Sequence, residues 1–118
     1  MKKIIIVDDH KDILTLIKTI ISEKYDVIEA RNGLEALDLI ENNDLNMIIT
    51  DIDMPFMSGL ELIKHIRKVN KNLKIPIIAM SARHDNSIKN LIYENGANYI
   101  LKKPFSIKEL IFLIDRLN

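Results

Sequence analysis

The chain has 118 residues, 47% of them hydrophobic and 29% charged, a balance that fits one domain long enough to bury a core. Seventeen basic and 17 acidic residues cancel, so the composition carries no footprint for autonomous nucleic-acid binding. The absence of cysteine excludes disulfides and thiolate metal ligands, and the apolar run after Met1 stops at Asp8, too short for a signal core or a membrane span. A soluble intracellular domain is the expectation.

Lys3–Val7 is a β-branched run closed by Asp8-Asp9, the pattern of a strand buried on both faces. From Lys11 to Lys24 the residues Ile13, Leu14, Leu16, Ile17, Ile20 and Ile21 recur at helical spacing, opposite Lys11, Asp12, Lys18 and Ser22. Tyr25–Ala30 reads as a second strand whose Asp26 and Glu29 suit a sheet edge. Asn32 followed by Glu35 starts a helix that carries Leu34, Leu37 and Ile40 inward. The strand Leu45–Thr50 ends in Asp51, and after a loop containing Pro55 the pair Ser58 and Glu61 forms a capping box. That helix buries Leu62, Ile63, Ile66 and Val69, with Lys64, Arg67, Lys68 and Lys71 outside and toward its C-terminus. Ile75–Met80 is a further strand, with Pro76 tolerable at its start, and it leads into Ser81-Ala82. Arg83–Asn95 is a sparse helix with Ile88, Leu91 and Ile92 to bury, stopped by Gly96. Ala97–Lys102 is a fifth strand ending in Lys103-Pro104-Phe105. A last helix, opened by Ser106 and Glu109, buries Ile107, Leu110, Ile111, Ile114 and Leu117.

This alternation implies a single α/β domain over residues 1–118, a (βα)5 three-layer sandwich with a parallel sheet and right-handed crossovers. The first, third and fourth strands are the most apolar and belong in the middle. The order 2-1-3-4-5 satisfies this and is matched to the known flavodoxin-like arrangement. Ligands bind at the carboxyl ends of strands in such sheets. Those ends supply Asp8 and Asp9, then Asp51, Ser81 and Lys103. Singly, Asp9 fits a helix cap, Ser81 a turn hydroxyl and Lys103 a surface charge; together on one rim they ask for a common role. Clustered carboxylates repel, and a hard divalent cation relieves the repulsion; magnesium suits because it shares its shell with phosphate. A carboxylate beside such an ion can attack phosphorus, while a lysine ammonium and a serine hydroxyl bind the remaining phosphoryl oxygens.

The chain resembles, along its whole length, the receiver domain of bacterial two-component response regulators. The likeness rests on Asp8-Asp9, on Asp51-Ile52-Asp53-Met54-Pro55-Phe56-Met57-Ser58-Gly59, on Ser81-Ala82 and on Lys103-Pro104-Phe105. The resemblance implies Asp51 as phospho-acceptor and metal ligand, Asp9 as a direct metal carboxylate, Asp8 as its partner through water, and Asp53 as a ligand through its backbone carbonyl. Ser81 and Lys103 then contact the phosphoryl group. The expected cofactor is Mg2+, with Mn2+ able to substitute. The expected phosphodonor is a histidine kinase or a histidine phosphotransfer protein. The output surface is the face of the fourth helix, fifth strand and fifth helix, read by an effector protein or by a C-terminal effector domain beyond Asn118. A phosphorylation-dependent homodimer, a cytoplasmic location, no membrane contact and no direct nucleic-acid binding complete these expectations. Such a domain is not a turnover enzyme and promotes only its own phosphorylation and dephosphorylation. Ile100 stands three residues before Lys103, where the family often has an aromatic, and Tyr99 should face the other way along the strand. Two alternatives have less support. Asp51-Ile52-Asp53 also resembles the nucleophile and acid pair of haloacid-dehalogenase-type phosphatases, which carry it on their first strand in longer chains. A flavin-binding module would need a phosphate cradle where Asp8-Asp9-His10 stands.

Overall fold

The structure, a computed structural model, describes residues 1–69 and 74–117. Lys71 and the side chain of Val69 lie outside the described residues. Five strands alternate with five helices: β1 Lys3–Val7, α1 Lys11–Ile21, β2 Asp26–Ala30, α2 Gly33–Glu41, β3 Met47–Asp51, α3 Gly59–Val69, β4 Ile77–Ser81, α4 Asn86–Glu94, β5 Tyr99–Lys102 and α5 Ile107–Leu117. The strands form one parallel sheet in the order β2-β1-β3-β4-β5, the order matched to the flavodoxin-like arrangement, with the apolar first, third and fourth strands in the middle as expected.

Period-two alternation divides the core in two. Ile4 and Ile6 of β1, Met47 and Ile49 of β3, and Ile78 and Met80 of β4 pack against α1 and α5. Ile5, Val7, Ile48, Ile77 and Ala79 point to the other face, under α2, α3 and α4. Ile4, Ile5 and Ile6 have no exposed surface. At about 1.5–3 kcal/mol for each buried aliphatic side chain, such triplets make the central strands the main source of stability. They also fix the register, since a one-residue slip would exchange the two faces.

The cap signals hold at three helices. The Asn32 side chain accepts from the Glu35 amide at 2.8 Å, Ser58 Oγ from the Glu61 amide at 3.2 Å, and Ser106 Oγ from the Glu109 amide at 3.1 Å. The fourth helix starts later than Arg83, because Asp85 is its cap and accepts from the Ile88 amide at 3.2 Å. The first helix ends at Ile21, where Ser22 takes the cap position. Four apolar residues expected inside are exposed: Leu16, Leu34, Leu91 and Ile107. Each helix presents an arc narrower than its apolar content. In α2 the buried positions are Gly33, Ala36 and Ile40, because small residues there admit Met57; a Cβ at Gly33 would stand 2.8 Å from the Met57 side chain. In α5 the buried set is Leu110, Leu113 and Ile114, with Ile111 and Leu117 half-buried. Arg67 is also reassigned. It is half-buried rather than on the solvated face, and it donates to the carbonyls of Gly96 and Ile75 and to Asn98 Oδ1. Among the described residues, no helix is long and apolar enough to cross a membrane.

Candidate functional site

Three sheet bonds continue past the strand ends and set the rim. The Asp8 amide donates to Ala30 O, Ile52 to Met80 O, and Lys103 to Ser81 O, at 3.1, 3.0 and 2.8 Å. In the sheet register Asp8 and Asp51 are level on adjacent strands, Ser81 stands one residue higher on β4, and Lys103 one residue higher again after β5. Asp51 is 4% exposed and Asp8 wholly buried. The start of α3 backs directly onto Asp51. The Gly59 amide donates to Ile52 O at 2.8 Å, and a Cβ at Gly59 would stand 2.0 Å from the Asp51 carbonyl oxygen. Only glycine fits there, a constraint that its place beside the Ser58 cap did not disclose.

Lys103 reaches in from β5 to form the charge centre. Its Nζ lies 3.0 Å from Asp51 Oδ1 and 3.4 Å from Asp8 Oδ2. Burial lowers the Lys103 pKa, but the hydrogen bond and charge of Asp51, with those of Asp8, more than offset it, so the ammonium is held protonated. Burial raises the Asp51 pKa, and the nearby Asp8 charge adds to the rise; Lys103 opposes both without cancelling them.

His10 joins the cluster, a role unforeseen from the sequence. Its backbone amide and its Nδ1 each approach Asp8 Oδ1 at 2.9 Å, and Nδ1 is 3.3 Å from Asp9 Oδ1. The hydrogen bond to Asp8 and the charges of Asp9 and Asp8 raise the His10 pKa. His10 is the first residue after a strand-end acid pair, where an imidazole can fold back; that position was the available signal. Asp9 does not cap α1, whose N-cap His10 makes no side-chain capping bond. Its Oδ1 is buried with no hydrogen-bond partner.

Asp8, Asp9, His10 and Asp51 each bring a ligand atom within 4.8 Å of the others. A buried carboxylate oxygen, Asp9 Oδ1, that makes no hydrogen bond and has the His10 imidazole 3.3 Å away, among three carboxylates, fits a hard, oxygen-seeking divalent cation such as Mg2+. Ser81 Oγ stands at the adjoining strand end and is held by Arg83, accepting from its amide at 3.1 Å and donating to its carbonyl at 3.2 Å. Asp53 is not among the residues that cluster within 4.8 Å; its carboxylate pairs with Arg83, whose Nη2 lies 2.6 Å from Asp53 Oδ1. The second carboxylate of Asp51-Ile52-Asp53 is therefore not assembled with the first as a nucleophile and acid pair. At the edge strand, Ile100 packs on the α2–α3–α4 core while Tyr99 is exposed, as strand alternation requires.

A family model described as "Response regulator receiver domain" matches residues 4–115. A transcriptional regulatory protein CpxR homolog of Haemophilus influenzae is 38% identical over 112 residues, covering 94% of this chain and 48% of that protein. The chain spans about half the length of such regulators and 8% of a similar histidine kinase of Formosa agariphila. The chemotaxis protein CheY4 of Vibrio cholerae superposes with a TM-score of 0.94 at 28% identity, covering 100% of this chain and 99% of that one. The response regulator TrrA of Thermotoga maritima, solved in complex with Mg2+-BeF, gives 0.86 at 34% identity over the full length of both chains. With the parallel five-stranded sheet and the acidic pocket at its carboxyl edge, these matches make the conclusion direct: the chain belongs to the response regulator receiver domain family.

Proposed function

We propose that Asp51 accepts a phosphoryl group from a histidine kinase or histidine phosphotransfer protein and that Ser81 and Lys103 read the new charge. The observation that carries this reading is the position of Asp51, almost wholly buried at the end of the central strand and 3.0 Å from Lys103 Nζ. An Asp51 oxygen attacks phosphorus, and the bond from phosphorus to the donor's imidazole nitrogen breaks as the acyl phosphate forms. Lys103 neutralises charge on the transferred oxygens, and the Ser81 hydroxyl donates to one of them once it leaves the Arg83 carbonyl. The residues that would hold Mg2+ are Asp8, Asp9, Asp51 and the backbone carbonyl of Asp53. When bound, the ion supplies the hard positive charge that lets carboxylates and phosphoryl oxygens share one pocket. Mn2+ has the same preference for oxygen and is expected to substitute. Release from Asp51 is self-catalysed hydrolysis rather than turnover of a separate substrate. The domain, residues 1–118, acts in the cytoplasm without contacting nucleic acid or membrane. It signals through α4, β5 and α5 to an effector protein or an attached effector domain, and phosphorylation promotes its dimerisation.

The test is intact-mass analysis after incubation with Mg2+ and a small acyl phosphate. One added phosphoryl group is expected, lost in Asp51→Asn and on chelation of the metal. Equal labelling of Asp51→Asn would remove the basis of the assignment.

A further inference from the structure

The acid pair after β1 is followed at once by an imidazole that turns back onto it. The His10 amide and Nδ1 both stand 2.9 Å from Asp8 Oδ1, and Nδ1 stands 3.3 Å from Asp9 Oδ1. Lys103 takes the other Asp8 oxygen, Oδ2, at 3.4 Å, so the lysine and the imidazole divide that carboxylate between them. Asp9 Oδ1, the oxygen beside the ring, is buried and makes no hydrogen bond. The His10 side chain is 63% exposed and makes no capping bond to α1, so neither core packing nor helix capping places the ring here. What holds it is the Asp8 carboxylate, and the result is a nitrogen donor at the edge of an oxygen site.

We propose that His10 is a ligand of this metal site and turns its preference from Mg2+ toward a divalent ion of the later first row, from Fe2+ to Zn2+. Adjacent ligands about 2.1 Å from an octahedral ion stand about 3 Å from each other. The separations from Nδ1 to Asp8 Oδ1 and to Asp9 Oδ1 match that edge. Asp51 completes a group whose ligand atoms all lie within 4.8 Å of one another. Carboxylates alone suit a hard ion such as Mg2+, which gains little from an imidazole. Later first-row ions gain more from nitrogen, so one imidazole among carboxylates changes which ion the pocket keeps. Ligation at Nδ1 moves the ring's hydrogen to Nε2. His65 and His84 are exposed and lie outside the acidic group, so among the described residues His10 is the one histidine in position. Its role as a ligand rests on the receiver reading of the acidic site, and adds a residue outside the motifs that carry the family likeness.

The experiment loads the unphosphorylated chain with Co2+ and records hyperfine-shifted proton resonances, while calorimetry gives the affinities for Co2+ and Mg2+. The parent is expected to bind Co2+ more tightly than Mg2+ and to show one shifted imidazole N–H resonance that disappears in D2O. Absence of that resonance in the parent would overturn the proposal without recourse to any variant. His10→Ala should lose the resonance and bind Co2+ about tenfold more weakly, with Mg2+ affinity changed by less than about twofold. His10→Gln, which keeps a donor for Asp8, should behave as His10→Ala does, and His84→Ala should match the parent. Recovery of Co2+ affinity in His10→Gln, or equal loss of Co2+ and Mg2+ affinity in His10→Ala, would overturn the proposal by making His10 a residue that only positions Asp8. Intact-mass labelling of the parent at Asp51 with saturating Mg2+ tests the receiver reading separately. Labelling without the shifted resonance overturns the ligand alone, whereas binding of neither ion overturns the metal site with it.

Discussion

At the residue scale, the acidic pocket works against the fold. Burial raises the Asp51 pKa, so the unfolded chain releases this proton at a lower pH than the native one. Between those two values folding takes up a proton, stability falls as pH rises, and above the native value the full cost is present. Asp51→Asn removes that cost while Lys103 keeps Asp8 as a partner. The variant should be more stable at pH 7 by on the order of 1 kcal/mol, as when a poorly solvated charge is replaced by a neutral isostere, with the gain fading in acid as Asp51 protonates. Urea unfolding at pH 7 and in acid measures both; a variant less stable at neutral pH would contradict it. The pair Asp53 and Arg83 gives a second prediction. Their contact is short at 2.6 Å, but both side chains are slightly more than half exposed, at 54% and 53%. Such pairs contribute about 0–1 kcal/mol, so a gate against water should lengthen the life of the acyl phosphate by no more than about fivefold. In a double-mutant cycle on dephosphorylation, Asp53→Asn and Arg83→Ala should each speed hydrolysis, and the double variant should be little faster than either. Strict additivity would mean that the two residues act separately. The carboxylates, Ser81 and Lys103 were legible because each stands at or just past the end of a strand, at the one edge of a parallel sheet where carboxyl ends gather. The His10 contact with Asp8 was not, because a side chain folding back across two residues leaves no periodic trace.

At the element scale, what the sequence hid is the reach of long side chains. Helical spacing puts Arg67 with Lys64 and Lys68 on an outer face, yet its guanidinium extends past the end of α3. It binds Ile75 O before β4 and Gly96 O and Asn98 Oδ1 before β5, at 2.7, 3.1 and 2.9 Å. Burial lowers its pKa, the sign of a cation whose water has been replaced by these acceptors. Asn98 Oδ1 also accepts from the Ile77 amide at 2.8 Å, so one cluster joins α3 to the entrances of both strands. Arg67→Ala should cost about 2–3 kcal/mol, the loss of charge-assisted bonds with carbonyls left short of donors. Arg67→Lys should recover less than half, because an ammonium cannot span acceptors as the planar fork does. Equilibrium urea unfolding reads both, and a loss below about 0.5 kcal/mol for Arg67→Ala would place the residue among ordinary surface cations. Helix starts were more readable, since a cap and its partner lie three residues apart. Arg83 was taken for the start of α4 because its apolar spacing is sparse, and the true cap, Asp85, has no acidic residue three positions on.

At the scale of the whole molecule, the division into central and edge strands was legible because only central strands are apolar throughout, and β2, with Asp26 exposed and Val27, Ile28 and Glu29 half-buried, is suited to an edge; the order itself came from the match to the flavodoxin-like arrangement. Less visible was how unequally the helices are anchored. Among its described residues, α3 buries Leu62, Ile63 and Ile66 completely, whereas α4 buries only Ile88 and Ile92. The loop before α4 is attached to the pocket through the Ser81 hydroxyl and the Arg83 backbone, and the Lys103 amide ties Ser81 O to β5. A phosphoryl group that draws Ser81 Oγ inward removes one of those bonds, and the least anchored helix is the element that can answer. Phe112 of α5, on the helix packed against the opposite face of the sheet, is 60% exposed, with the Arg116 guanidinium 5.9 Å from its ring centre. Hydrogen exchange with Mg2+ and a small acyl phosphate should therefore change in residues 82–94 and in β5 by more than in α2. The change should be absent in Asp51→Asn, which removes the proposed phospho-acceptor. Ser81→Ala should still take up the phosphoryl group on Asp51 while losing most of the exchange change in α4, because the hydroxyl is the link and not the nucleophile. Changes confined to residues 8–10 and 52–58 would show that the charge is absorbed where it arises, and an undiminished response in Ser81→Ala would move the link to Lys103.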